Sequence, residues 1–367
     1  MSETSQMANE NWIKQWGTDW VLEGCVSCNG VFVLPPDKVS QRCPLCGQAT
    51  LAQMDPTDDR PIYTQPPEMV VPYRANEDVL RQSVSQFAKS IWLAPSDLQE
   101  RNLLGRLQPV YLPMWLVDAH VQGGWQAEMG FNYEIVSHRE QYKNNDWQTE
   151  RVKENRVRWE PRLGRLNRAY HNQATPALEQ QDEVEAKIGR FQTKDQKPFH
   201  PGDLKGAIVH LPNRPPDDAW NDAVLVLQTA VSQDCRQASE ADHTRGFKWS
   251  PSFANQHWTQ LLLPLYTSYY LDDDNRAQMV LLHGQSGKLH AIKRASMKRA
   301  RRVAGIILGV AAVFLLMTLV LLGLGFTVAE DALAWAGLVG VLTVGVGGTA
   351  VLPLLYAWYI NNVQSSS

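Results

Sequence analysis

Four of the five cysteines fall into two CxxC pairs, Cys25 and Cys28 in GCVSCNG and Cys43 and Cys46 in RCPLCGQ, with fourteen residues between the pairs. A CxxC turn brings two sulfurs to one side of a tight bend, and two such turns facing each other close a tetrahedron of thiolates with no position left for water. That chemistry is structural rather than catalytic. Gly30 and Gly47, after the second cysteine of each pair, are expected to let the backbone open toward its own sulfurs. Structural Zn2+ is the expected occupant, because it fills all-cysteine ribbons by default; rubredoxin-like iron and a thiol redox pair are the alternatives read from the same spacing. An odd cysteine count clustered in this way argues against a secreted disulfide framework and for a reducing compartment. The fifth, Cys235, sits on an amphipathic helical pattern with no basic neighbour to lower its pKa and reads as an inert helical thiol.

The rest of the chain offers no catalytic set. The nine histidines are scattered, and neither HExxH nor GxSxG occurs. Asp272, Asp273 and Asp274 lack the alternate spacing, glycine and distal Glu of a calcium loop and read as a solvated turn. The GQSG at 284–287 reads as a hairpin turn with Gly284 and Gly287 at positive φ, not as a phosphate loop. No catalytic or cofactor-binding residue is therefore assigned, and the chain reads as a non-enzyme.

These residues are positioned by a chain of 367 residues with several composition shifts. Residues 1–20 are polar except for Trp12, Trp16 and Trp20, a stripe expected to pack on the protein's own body. Residues 21–50 form the ribbon, with a short hairpin between its knuckles, and 51–68 read as a linker rich in Pro and Asp. An α+β domain of mixed antiparallel sheet and helices spans 69–292. Within it MVVPY reads as a strand, residues 79–92 as a helix, and a second helix is expected to start at the Ser96 cap. Prolines place residues 111–119 at a sheet edge or a strand start. Residues 217–240 form a helix, and 260–293 read as three strands joined by turns.

Residues 293–302 form a basic neck carrying Lys293, Arg294, Lys298, Arg299, Arg301 and Arg302, followed by uncharged runs at 303–328 and 332–360 and a tail at 361–367. Each run exceeds the roughly 20 residues that cross a bilayer core, and a three-residue link forces an antiparallel hairpin. The basic neck places the N-terminal body and the tail in the cytosol, with the protein multi-pass in the inner membrane and the neck on anionic lipid. Gly305 and Gly309 form a GxxxG, and Gly340, Gly345 and Gly348 thin the second span, packing within the hairpin or against another span. Of 35 Lys and Arg and 38 Asp and Glu, six bases and two acids lie beyond residue 292, which leaves 29 against 36 in the body. That acidic balance opposes nucleic-acid binding, which favours a basic surface.

The segments PVYLPMWLVDA (109–119), RWEPRLG (158–164), DLKGA (203–207), LLPLY (262–266) and LLHGQSGK (281–288), behind a double-CxxC ribbon and before two spans, resemble a bacterial family of membrane-anchored, TFIIB-type zinc-ribbon-like proteins. The resemblance covers about residues 20–300; His283 and Ser286 depart from the Asn-Gly-Gln-Thr-Gly turn of relatives. It implies an envelope-associated scaffold or adaptor that recruits a protein partner, in some relatives phage-shock-type or flotillin-like. The alternative classes are a transcription- or replication-linked nucleic-acid-binding ribbon protein and a membrane-tethered enzyme without a recognisable motif.

Overall fold

The computed structural model describes residues 16–17, 19–54, 63–143, 146–327 and 331–363. Trp12 lies outside them. Trp16 is fully buried, edge-on to Phe199 at 6.3 Å, and its Nε1 donates to the Thr64 carbonyl at 3.0 Å. Trp20 packs against the same cluster, so the described part of the tryptophan stripe belongs to the body.

The chain runs β1 (Val21–Gly24), β2 (Val31–Leu34), β3 (Ala52–Gln53), β4 (Met69–Val70), α1 (Glu77–Lys89), α2 (Glu100–Gly105), β5 (Gln108–Lys143) and β6 (Asp146–Pro176). It continues through α3 (Gln181–Ile188), β7 (Lys197–Pro198), β8 (Ile208–His210), α4 (Pro216–Ala238), β9 (His243–Leu271), β10 (Ala277–His283) and β11 (Leu289–Ala291). Three apolar helices follow, α5 (Met297–Thr327), α6 (Asp331–Thr349) and α7 (Val351–Asn362). The fold is α+β. One mixed sheet is ordered β11-β10-β9-β5-β8-β2-β1-β3, with β6 on β5 beyond β8, and β4 between β7 and β9. The β5–β8 and β4–β9 pairs are parallel, and the remaining named pairs are antiparallel. Strands β2 (VFVL) and β8 (IVH) are buried throughout, so they read as short apolar runs rather than alternations.

Three expectations change. The ribbon is not set apart by a linker: β2 pairs with β8, β3 returns to pair with β1 inside the stretch read as linker, and Leu51 is buried in the same core as Val110 and Leu265. The two-residue β3 has both side chains exposed and so leaves no apolar signal in the sequence. The prolines of β5 do not mark an edge. Pro113 falls where the β8 pairing, ending at Tyr111, has stopped and the β6 pairing, starting at Met114, has not begun. Pro264 occupies the equivalent gap in β9 between β4 and β10, so neither missing N–H is demanded by a neighbour. Finally, α2 begins at Glu100 rather than at Ser96. Asp97 is engaged elsewhere, accepting from Arg106 at 2.5 and 2.9 Å and from the Leu271 N–H at 2.7 Å. Burial pushes the Asp97 carboxyl up, but these donors outweigh it and hold it below its usual range.

The long strands form an arm. β5 and β6 stay paired from Met114↔Pro176 to Lys143↔Asp146, and β9 flanks β5 as far as Gly130↔His243. α4 opens with Pro216 and two acids, and buries Ala219, Ala223, Leu227, Val231 and Cys235, a stripe spaced by four. That stripe covers one face of the arm, meeting Val121, Ala127 and Met129, while Leu163 on the opposite face is exposed.

The apolar helices form an antiparallel pair. A Cβ on Gly340 would lie 3.6 Å from Thr318, and one on Gly347 would lie 3.7 Å from Ala311, so residues ascending one helix meet residues descending the other. Nothing stands within 4 Å of a Cβ at Gly305, Gly309, Gly345 or Gly348. α6 gives way to α7 at Ala350, because Pro353 cannot donate to the carbonyl four residues back. The ends of the pair latch at the body: the Ala295 N–H donates to Asn361 Oδ1 at 2.9 Å, Asn361 Nδ2 donates to the Ala295 carbonyl at 3.0 Å, and Arg294 Nη1 donates to the Asn361 carbonyl at 2.8 Å. Ala357 and Ile360 then join Leu80, Phe87, Leu103 and Tyr270 in one buried cluster.

Candidate metal centre

The two knuckles arise from local backbone geometry. The Cys25 N–H donates to the Gly30 carbonyl at 2.8 Å, closing the first turn through Asn29 at φ 55°. In the second, the Cys43 N–H donates to the Ala49 carbonyl at 2.8 Å and Gly47 stands at φ 65°, while Arg42 Nη1 holds the Gly47 carbonyl at 2.7 Å. Gly47 therefore serves as expected, and Gly30 does not. Positive φ falls on Asn29, and Gly30 is needed for space: a Cβ there would stand 2.8 Å from His210 Nε2 and 3.1 Å from the Phe32 ring.

All four Sγ atoms lie within 4.8 Å of one another, with Cys25–Cys46 at 3.6 Å and Cys28–Cys43 at 3.7 Å. A disulfide needs about 2.05 Å. A tetrahedral ion with metal–sulfur bonds of about 2.3 Å spaces its sulfurs by about 3.8 Å, so the residues fit a tetrahedral thiolate site. Cys25 and Cys43 are buried in the main core with Phe32, Leu34, Leu112 and Leu265, whereas Cys28 and Cys46 are half-buried. The Cys43 thiol is raised by its contacts with Cys28 and Cys46 and then by burial; Cys46 is lowered because Cys28 and Cys43 donate to it. Four negative sulfurs at this spacing need a cation among them. The site can hold a metal ion closed to solvent ligands.

His210 beside the site was not singled out by the sequence. It is buried edge-on to Phe32 at 4.7 Å, its Nδ1 meets the Leu211 carbonyl at 2.7 Å, and burial pushes its pKa down to about 4, so the ring is neutral. A cavity of about 120 Å³ opens next to it, lined by Cys28, Cys46 and Leu281.

The other sequence candidates are dispersed. Cys235 is buried under the arm, and burial, then Asp234, pushes its thiol up to about 11. His283 stacks on Phe191 at 4.2 Å, and its Nδ1 accepts from the Gln285 and Ser286 N–H groups, holding the GQSG turn. In that turn only Gly287 has positive φ; a Cβ on Gly284 would meet the Pro264 carbonyl oxygen at 2.5 Å. The aspartate turn is tied to the neck: Asp272 Oδ1 accepts from the Asp274 and Arg276 N–H groups, and Asp273 Oδ2 accepts from Ser296 Oγ at 3.1 Å and the Lys298 N–H at 2.9 Å. Ser296 in turn caps α5, accepting from the Arg299 N–H at 3.0 Å. Of the six neck bases, Lys293 and Arg294 are half-buried, while Lys298, Arg299, Arg301 and Arg302 are exposed.

A cavity of about 520 Å³ lies between β6, α3 and α4 and contains Thr175, Asp182, Glu185 and Arg190. Burial and then Asp182 raise the Glu185 carboxyl. No family model, curated protein or solved structure matches the chain. Of the features of the family that the sequence resembles, the structure shows the four-cysteine cluster and two helices long and apolar enough to cross a membrane.

Proposed function

We propose that this chain is a membrane-anchored adaptor: a zinc-stabilised body held at the cytosolic face by a two-helix hairpin, presenting a long β arm to a protein partner. The arm is the observation that carries this reading. One end of its central strand starts in the body beside the latched hairpin, and its outer part leaves the core. At about 3.3 Å per residue, the stretch from Ala119 to Lys143 extends on the order of 80 Å. Past Gly130 the arm is a two-stranded ribbon with Tyr133, Val136 and Val157 exposed. Such apolar and aromatic side chains on a projecting element are suited to protein contact.

Zinc is the ion best matched to four thiolates in a closed tetrahedron. The basic neck supports a cytosolic body through the excess of Lys and Arg on that side. A phage-shock-type or flotillin-like partner is supported by the sequence resemblance alone. The arm, rather than the ribbon, is the recruiting element in this reading, because β2 of the ribbon is built into the body sheet through β8, whereas the arm past Gly130 projects from it.

The test replaces residues 132–157 with Asn-Gly, which joins the paired Phe131 and Arg158 through a two-residue hairpin turn and leaves α4's contacts intact. Cross-linking in native membranes should lose the main partner of the full chain while the protein stays membrane-bound. Retention of every cross-linked partner would refute the adaptor reading. Reporter fusions at Met1 and Ser367 should both report the cytosol, and an external signal from either would overturn the orientation. A second reading, a body that binds a small polar ligand, is favoured by Glu185 in the cavity between β6, α3 and α4; ligand-dependent shifts in melting that vanish in Glu185→Gln would support it.

A further inference from the structure

The loop between α1 and α2 holds an aromatic residue that the body does not use. Ile91 and Leu93 are both 4% exposed and pack in the cluster that seats the base of the hairpin, yet Trp92 between them leaves 61% of its surface open. Its one ring neighbour among the described residues is Tyr356 of α7, edge-on with centroids 5.5 Å apart, and the Trp92 backbone N–H donates to Tyr356 Oη at 3.2 Å. The height of this contact along the hairpin follows from the latch. Asn361 pairs with Ala295, so in an antiparallel pair Tyr356, five residues before Asn361, stands level with Ala300, five residues after Ala295. Trp92 therefore lies level with the turn of α5 that carries Arg299, Arg301 and Arg302, all exposed.

Beyond that level the helix surface becomes uncharged and mostly apolar, with Ile306 and Leu308 exposed; near it, Trp358 and Tyr359 are open as well. Exposed aromatic rings beside exposed cations, where apolar spans leave a folded body, match the headgroup layer. Amphipathic rings settle there, and anionic phosphates attract the cations. The surface is continuous with the apolar helix faces, which commits its occupant to lipid rather than to a protein.

We propose that Trp92 inserts into the headgroup layer of the bilayer, and that the α1–α2 loop and the Arg299, Arg301 and Arg302 turn form one collar that seats the body on anionic lipid. This rests on the reading of α5, α6 and α7 as membrane-spanning. The collar fixes the body against the surface through two separate points of the chain, so the arm is held in a set direction rather than swinging on a tether.

The experiment uses the full chain in nanodiscs of phosphatidylcholine and phosphatidylglycerol, with and without lipids brominated in the acyl chains near the headgroup. The emission lost on Trp92→Phe isolates this indole from the other tryptophans, and Phe keeps the packing on Tyr356. Brominated lipid should quench that difference emission by about half or more, as for an interfacial ring. The emission lost on Trp335→Phe, an exposed indole within the second apolar run, serves as the control for the span. If Trp335 is quenched and Trp92 is not, the collar is overturned and the membrane reading stands; if neither is quenched, both fall. Quenching of Trp92 should also weaken when phosphatidylglycerol is omitted, and Arg299→Gln, Arg301→Gln and Arg302→Gln together should remove that dependence. Quenching indifferent to phosphatidylglycerol in the parent protein would overturn the anionic-lipid part.

Discussion

Stripping the metal from Cys25, Cys28, Cys43 and Cys46 is expected to unfold the body, not the ribbon alone. Cys25 and Cys43 sit in the core beside Phe32, Leu34, Leu265 and Leu281, and β2 is hydrogen-bonded to β8, which is itself paired with β5. The magnitude follows from comparing two quantities. Structural zinc contributes an apparent 10–16 kcal/mol, roughly, to folding at neutral pH. A folded domain of ordinary size is stable by only about 5–15 kcal/mol in total. Without the ion, sulfurs at 3.6 and 3.7 Å must share protons to avoid repulsion, and the site changes from a stabilising element to a strained one. The loss is thus comparable to the whole margin. The assay titrates the full chain in detergent micelles with a chromophoric chelator, following metal release together with the strand signal in circular dichroism and the melting midpoint. Strand signal should collapse with the first equivalent of metal released. If one equivalent leaves while the midpoint of the sheet moves by less than about 2 °C, the ribbon is energetically separate and the reasoning fails. Replacing Cys25 and Cys43 together by Ser should abolish metal content, and unchanged zinc in that variant would remove the assignment.

Three further outcomes are expected. Ser296→Ala removes the α5 cap and its bond to Asp273, and should cost about 1 kcal/mol in micelle unfolding; no loss would show that the neck helix is capped by solvent. The folded-state pKa of His210 is depressed to about 4, so its stabilising effect is complete above pH about 6.5 and lost as pH falls toward 4. This amounts to about 3 kcal/mol over that window, and His210→Gln should flatten the slope of stability against pH relative to the parent; equal slopes would contradict a buried neutral ring. Gly340→Leu and Gly347→Leu should each loosen the hairpin by about 1–3 kcal/mol, whereas Gly305→Leu and Gly309→Leu, facing open space, should leave its unfolding unchanged. A hairpin loosened equally at all four positions would mean that the helix faces are misassigned.

The parts of this molecule that were readable in the sequence are those governed by local rules. Cysteine spacing foretold the sulfur cluster, an uncharged run with one short link foretold the apolar pair, and the stripe from Ala219 to Cys235 foretold α4. Features set by distant partners were not readable. The Ser96 cap suggests a helix start there, but Arg106 and the Leu271 N–H claim the next residue, Asp97, and no local pattern announces a partner 174 residues away. Pro113 suggested an edge because sequence does not reveal that β8 stops before it and β6 starts after it. The strand through residues 243–259 was also missed: Phe247, Trp249 and Phe253 do alternate onto one face, but Gly246 and Pro251 interrupt the run, and β5 supplies the pairing that makes it a strand. At the candidate metal centre the clustering of the four cysteines was legible, whereas His210, the reason for Gly30, was not, since it reaches the site only through the β2–β8 pairing.

The reciprocal bonds between Ala295 and Asn361 also set an order of events during synthesis. The cluster around Leu80, Phe87 and Tyr270 is completed by Ala357 and Ile360, residues translated long after the strands that surround them. Until that last helix has docked, the side of the body that receives it has an open apolar seam. In the membrane-anchored reading, maturation of the body is therefore tied to insertion of the hairpin. A chain whose second span fails to insert would carry that seam exposed, marking it for recognition by chaperones or proteases before the arm is ever presented from a properly seated base.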